Sequence, residues 1–325
     1  MAGADRMPEW VAPELATLTQ DRFSDPAWIY ERKLDGERCL AFRDGPELRL
    51  LTRNQKPVAT NYPEVAQALA AQDSARFIVD GEVVAFEHGQ TRFAELQQRM
   101  QIAQPPPDLL RRVPVQYYVF DVLYAEGSDL RRRPLLERKQ RLAGLLNFGG
   151  PLCFTEHRTG DGVAFYEQAC RDGWEGLIAK RAAAPYVAGR SKDWLKFKCV
   201  NAQEFVIGGF TDPQGARTYL GALLLGYYDP DGTLVYAGKV GTGFTARTLR
   251  QLYEALAPLE QDRVPFGRGE LPRGRGVHWT APDLVAEIGF SEWTTAGQLR
   301  HPRFQGLRRD KSATEVVREV PQGDG

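Results

Sequence analysis

The sequence predicts an α+β protein of two domains: a mixed antiparallel-sheet domain with interspersed helices, then a small β-barrel. Three observations carry this. A chain of 325 residues exceeds what one hydrophobic core usually organises. As far as Lys198, alternating strand-like runs are interrupted by helical periodicity. Beyond Lys198 the pattern changes to short apolar runs separated by Gly-rich and Asp-Gly turns, a spacing that suits a small barrel. The expected division is 1–201 and 202–325. With 42% hydrophobic residues and 10% aromatics, both cores can be filled.

In the first domain Trp28 to Lys33 reads as a strand ending at a lysine, and Arg38 to Arg43 as the next, alternating in polarity. Asp44-Gly45 is a turn pair, and Glu47 to Thr52 returns as a third strand. Pro63 to Ala71 is expected to be helical, with Val65, Ala68 and Leu69 on one face. Phe77 to Phe86 reads as a strand pair bent at Gly81. Phe93 to Gln101 reads as a helix that stops before the loop Pro105-Pro106-Pro107. Val115 to Leu123 is strand-like, and Leu135 to Leu146 is helical until Gly149-Gly150 ends it.

In the second domain Phe205 to Phe210, Leu220 to Tyr228 and Leu234 to Val240 are short strands. Leu249 to Leu256 supplies a helix and Leu284 to Trp293 another strand. The ends, up to Pro8 and after Pro321, read as loose tails.

Net charge supplies no global attraction for a polyanion, because Lys plus Arg equals Asp plus Glu at 42 each. Phosphate contacts act locally, within about 8 Å at physiological salt, so the expectation is a basic groove. Its candidates are Arg111-Arg112, Arg131 to Arg133, Arg138-Lys139 with Arg141, and Arg300 to Lys311. No apolar run is long enough to span a bilayer, and Met1 to Arg6 lacks the apolar stretch of a signal peptide. A cytoplasmic monomer is expected. Cys39, Cys153, Cys170 and Cys199 show no metal-binding spacing and are expected to be reduced thiols.

The chemistry concentrates in Lys33-Leu34-Asp35-Gly36-Glu37-Arg38. A lysine attacks phosphorus only after losing its proton, so it needs surroundings that disfavour the ammonium or hold a metal cation. Gly36 allows a tight turn beside a ligand, and Arg38 offers a fork of donors. Alone, this hexapeptide is most often a solvated turn. It is followed, however, by Asp80-Gly81-Glu82, Tyr118 to Asp121, Glu175 to Arg181 and Trp194 to Lys198. Arg300 to Phe304 and Arg308 to Lys311 complete the series. The ordered series, from about Trp28 to about Val317, resembles the collinear motifs of ATP-dependent DNA ligases. Its nearest likeness is to the ligase domain of bacterial multifunctional end-joining ligases.

The resemblance implies an adenylation domain, an oligonucleotide-binding barrel, and a hinge near Asn201 to Glu204. It also implies three displacements: Lys33 takes AMP from ATP, AMP passes to the 5′-phosphate of a nick, and the 3′-hydroxyl then displaces AMP. Lys33 is the implied nucleophile and Glu31 the reader of the adenine amino group, favouring ATP over GTP. Asp35 and Arg38 are placed near the metal and on ribose or nick phosphate, Arg53 on the nick 5′-phosphate, and Glu82 near the ribose. Phe120 is the implied stacking partner of adenine. Glu175, with Asp35 and Glu82, is assigned to Mg²⁺, for which Mn²⁺ substitutes. Lys196 and Lys198 alternate onto one strand face, where they suit the charge that builds on the α-phosphate. Trp194 and Phe197 are expected on the opposite face. Lys180 and Arg181 carry no settled role. Arg308 and Lys311 are implied to orient the β- and γ-phosphates, with Asp310 fixing Arg308.

Two departures stand out. Gln55 occupies a position that is usually glycine in relatives. The polymerase and nuclease domains of multifunctional relatives do not fit in this chain, which suggests a stand-alone ligase or one component of a separately encoded set. Expected partners are nicked duplex DNA and, by analogy, a Ku-type end-binding protein or a separate repair polymerase. The rivals are an RNA ligase or RNA-capping guanylyltransferase and, from another class, a non-catalytic nucleic-acid-binding protein.

Overall fold

The computed structural model describes residues 6–199, 201–215, 217–272 and 276–319; both expected tails run partly outside them. The described residues divide into two compact units, 6–199 and 201–319.

In the first unit one sheet has the order β1 (Glu14–Leu18), β12 (Gly189–Lys198), β11 (Gly176–Arg181), β2 (Trp28–Arg32), β10 (His157–Thr159). The other has the path β4 (Glu47–Thr52), β3 (Glu37–Asp44), β5 (Arg76–Glu87), β7 (Val115–Ala125), β8 (Ser128–Asp129). The short strands β6 (Gln90–Thr91) and β9 (Leu152–Phe154) pair with β5 and β7. Five helices accompany the sheets: α1 (Pro63–Ala70), α2 (Phe93–Met100), α3 (Pro107–Arg112), α4 (Leu135–Leu145) and α5 (Gly162–Arg171).

Strand alternation puts the two faces of the second sheet into different cores. Cys39, Ala41 and Val119 pack with residues of α1, α2 and α4. Leu40, Phe42 and Phe120 pack instead with Tyr186 and Trp194. A third cluster joins Trp28, Tyr30, Leu177 and Phe197 to Phe165 and Ala169 of α5.

The second unit is a sheet of order β15 (Leu234–Val240), β14 (Leu223–Tyr228), β13 (Asn201–Thr211), β17 (Val277–Phe290), β16 (Glu260–Gln261), with β20 (Arg303–Leu307) also on β17. A small pair, β18 (Glu292–Trp293) and β19 (Leu299–Arg300), stands apart. Helix α6 (Ala246–Leu256) begins in a Thr245–Thr248 capping box and buries Leu249, Leu252 and Leu256. No helix of the described residues is long and apolar enough to cross a membrane.

Three expectations are corrected. Phe77 to Phe86 is one strand: β5 pairs with β3 without interruption, and its irregularities against β7 fall at Ile78/Val79 and Asp80/Gly81. Gly81 is a packing position rather than a bend, since a Cβ there would lie 2.5 Å from the Tyr117 ring. The proline run does not stay a loop; Pro107 opens α3, because a first-turn proline needs no amide donor. Asn201 to Glu204 pair with Phe290 to Glu287 as the first residues of β13, and the boundary between the two units falls just ahead of them. Finally, Cys170 and Cys199 are joined in a disulfide. Their 29-residue separation gives no sequence signal, but the β11–β12 hairpin returns Cys199 to the end of α5. Cys39 and Cys153 are free thiols.

Candidate active site

Lys33 lies one residue past β2, whose register against β11 pairs Arg32 with Leu177. The Lys33 amide donates to Gly176 O at 2.9 Å, which brings the side chain to Glu175. Nζ donates to Glu175 Oε2 at 2.6 Å, with side-chain exposures of 20% and 17%. Burial disfavours the ammonium and Lys198 repels it, yet the charge and hydrogen bond of Glu175, with Asp35, together hold Lys33 above the ordinary lysine range. The protein surroundings therefore favour the ammonium, which leaves a nearby metal cation as the remaining arm of the sequence expectation. Gly36 approaches β5 so closely that a Cβ would fall 2.2 Å from Val83 O. Asp35 is committed locally: Oδ2 accepts the Phe93 amide at 3.1 Å, at the start of α2.

On β12, Lys198 pairs with Gly176 and Lys196 with Ile178. Phe197 turns into the α5 core, as expected. Trp194 does not: it packs with Phe120 and Tyr186, because 194, 196 and 198 share strand parity.

Glu31 is the centre of a buried cluster rather than an open acceptor. Lys139 Nζ donates to Oε1 and Lys180 Nζ contacts Oε2, each at 2.5 Å, and all three side chains are at most 2% exposed. Burial raises Glu31, but the two lysines prevail and hold it below the carboxylate range. Burial lowers Lys180, with Lys139 adding repulsion against the pull of Glu31. The Lys180 ammonium also lies 4.2 Å from the Phe120 ring centre and 3.9 Å from that of Trp194.

Arg38 is held by Asp80 in two bonds of 2.5 and 2.6 Å, while the Tyr186 hydroxyl donates to the same carboxylate at 2.6 Å. Its guanidinium carbon sits 4.5 Å from the Phe120 ring centre. Glu82 is its cross-strand neighbour. Arg53 lies half-buried in the turn after β4, where the Gln55 amide donates to Thr52 O at 2.9 Å. Gln55 has φ 60°, the left-handed region that favours glycine.

In the second unit Arg308 is buried, donating to both oxygens of Asp310 at 3.1 and 2.9 Å, as the expected Arg308–Asp310 pair requires. Glu204 lies 4.0 Å from Arg308 and 3.2 Å from Lys311. Burial raises the Glu204 carboxyl, yet Lys311 and Arg308 push it down to about 2. These residues thus form an ion-pair network within the second unit.

Sequence reading missed Lys139, Arg138, Asp80 and Tyr186. Arg138 and Lys139 were placed in a basic surface cluster, but Arg138 is bidentate to Asp121 at 2.8 Å, fully buried. The signal was present: 135, 138, 139 and 142 recur at the spacing of one helix face with Leu135 and Leu142. Tyr186 carries no such signal. The three-carboxylate metal set is also not assembled: among the described residues no group of three or more His, Cys, Asp or Glu is arranged for a metal.

Two family models match the chain: the ATP dependent DNA ligase domain over residues 13–198 and the ATP dependent DNA ligase C terminal region over 216–311. The second unit is an OB-fold-like domain. A multifunctional non-homologous end joining protein LigD from Pseudomonas aeruginosa is 41% identical across 99% of this chain and 38% of its own length. LigD from Mycolicibacterium smegmatis is 38% identical across 96% of this chain and 40% of its own. The chain thus spans about two fifths of these relatives. A solved mycobacterial DNA ligase D complexed with ATP and MES matches with a TM-score of 0.67 at 36% identity, covering 95% of this chain and 98% of that one. The chain belongs to the ATP-dependent DNA ligase family.

Proposed function

We propose that this chain seals 5′-phosphate/3′-hydroxyl nicks in duplex DNA through a Lys33–AMP intermediate, with residues 1–201 as the adenylation domain and 202–325 as the OB-fold domain. The Lys33–Glu175 contact at 2.6 Å supports this reading best. Lys33 Nζ forms a bond to the α-phosphorus of ATP as the bond to pyrophosphate breaks. The Nζ proton starts on the hydrogen bond to Glu175, which is therefore both its holder and its first acceptor. Lys196 and Lys198 meet the charge that builds on the phosphoryl oxygens.

The residues fit Mg²⁺ or Mn²⁺ through Glu175, which contacts Lys33, with Asp35 also acting on it, since Mg²⁺ usually takes one or two carboxylates plus phosphate oxygens and water. A cation bound there would supply positive charge beside Glu175 and weaken its hold on the Lys33 proton. Work in end joining, with a Ku-type partner or a repair polymerase, and a cytoplasmic location follow by analogy with the LigD relatives.

The test is intact mass after incubation with ATP and Mg²⁺. The protein should gain one AMP, Lys33→Ala none, and Lys33→Arg none, because arginine stays protonated. An adduct in either variant removes Lys33 as nucleophile. A guanylate adduct formed as readily from GTP would favour the capping-enzyme rival, and sealing assays with DNA or RNA beside the nick separate the RNA-ligase one.

A further inference from the structure

We propose that Cys170 and Cys199 form a reversible thiol–disulfide site that controls how fast Lys33 is adenylated; the inference rests on the reading of Lys33 above. The disulfide joins the last turn of α5 to the residue after β12. Between the two cysteines lie Glu175, Lys180, Lys196 and Lys198. One covalent loop of the first unit therefore encloses the partner of Lys33 and both cations assigned to the phosphate.

The attachment to Glu175 is direct. The Cys199 amide donates to Glu175 O at 3.0 Å, so the sulfur that closes the loop belongs to the residue bonded to Glu175's own backbone. Glu175 Oε2 in turn holds Lys33 Nζ at 2.6 Å. A second anchor runs in parallel: Tyr166, also on α5, donates its hydroxyl to Lys198 O at 3.0 Å. With the disulfide closed, α5 braces the ends of β11 and β12 by a covalent bond and a hydrogen bond. With it open, only the hydrogen bonds remain, and Glu175 and Lys198 are held less firmly. A shift of about an ångström in such groups is enough to cost a large factor in rate.

Both cysteines are only partly buried, and the exchange partner proposed for them is a small thiol or disulfide. In closing, two protein thiols pass two electrons and two protons to a low-molecular-weight disulfide of the glutathione type, which is released as two thiols. Opening is the reverse exchange.

The experiment poises the full chain in glutathione buffers of graded ratio, counts free thiols by alkylation and intact mass, and measures single-turnover Lys33–AMP formation at saturating ATP. The expected result is two thiols titrating together, with adenylation about 3- to 10-fold slower in the reduced protein and restored on reoxidation. Cys170→Ser with Cys199→Ser should match the reduced rate and ignore the buffer, whereas Cys153→Ser should keep the response. Equal rates in both states, four free thiols in every buffer, or a response surviving in the double variant would each overturn the proposal. Should the double variant fail to fold, the wild-type titration still decides. If no AMP adduct forms in either state, the assignment of Lys33 has failed instead, and the thiol count reads the disulfide independently.

Discussion

Lys33 in the first unit and Arg308 in the second are both cations held by acidic partners, but they are held in different ways. Lys33 makes a single contact with Glu175 and is 20% exposed. Arg308 is bidentate to Asp310, lies beside Glu204, and is 10% exposed. A one-point pair can be dissolved by a competing charge, leaving a free amine. A two-point buried pair cannot be opened without stranding a carboxylate, so it suits a role in holding the fold. The family resemblance set both beside the nucleotide, Lys33 as nucleophile and Arg308 as a ligand of the outer phosphates; their partners separate them further.

The largest expected effect tests the Lys33 side. Glu175→Gln should slow Lys33–AMP formation by roughly 100-fold or more, the scale of losing one transition-state contact. Because Glu175 raises the proton affinity of Lys33, its neutralisation should also move the rate profile to lower pH. A loss below tenfold with an unmoved profile would dissolve the distinction from Arg308.

Arg308→Ala should destabilise the second unit by about 3–5 kcal/mol, as breaking a buried ion pair does, measured by urea unfolding. Arg308→Met combined with Asp310→Leu should recover most of that, since an apolar replacement removes both charges. A double variant that folds normally yet forms no lysine adduct would return Arg308 to the triphosphate.

A gentler probe is acid. Glu204 titrates at about 2 rather than at the ordinary 4.5, a depressed carboxylate. Its stabilisation is complete above about 4.5 and is lost as the pH falls through 2. Glu204→Gln should flatten the stability of the second unit over that interval. A wild-type curve already flat there would mean that the network contributes nothing.

The smallest effect concerns a third cation, Arg53, carried on a tight turn. Gln55→Gly relieves a left-handed φ and should stabilise the first unit by up to about 1 kcal/mol, without slowing lysine adenylation. A loss of stability would show that the Gln55 side chain matters more than its backbone.

Local pattern revealed most of the elements in the sequence, because alternation and helical periodicity are short-range. Gly36, Lys33 and the spacing of Lys196 and Lys198 belonged to that local record. The partners did not: Glu31 meets Lys139 from 108 residues away and Arg38 meets Asp80 from 42. Such pairs depend on which strands become neighbours, and the crossing of β2 with β11 and β10 is a property of the whole sheet. For the same reason charge content misled at Arg138-Lys139, where a run of cations looked like surface and proved to be core.

The placement of Asp35 has a consequence for amide exchange. The residue preceding α2, Arg92, offers no side-chain cap, and Phe93 obtains its acceptor from Asp35, 58 residues earlier and two past the nucleophile. The Asp35 amide in turn donates to Thr91 Oγ1 at 3.3 Å. Protection of the Phe93 amide thus depends on the loop of Lys33 staying in place, and its exchange rate measures how often that loop lifts away. One backbone proton, followed with and without ATP, would time the opening of the nucleophile's loop without touching the nucleophile itself.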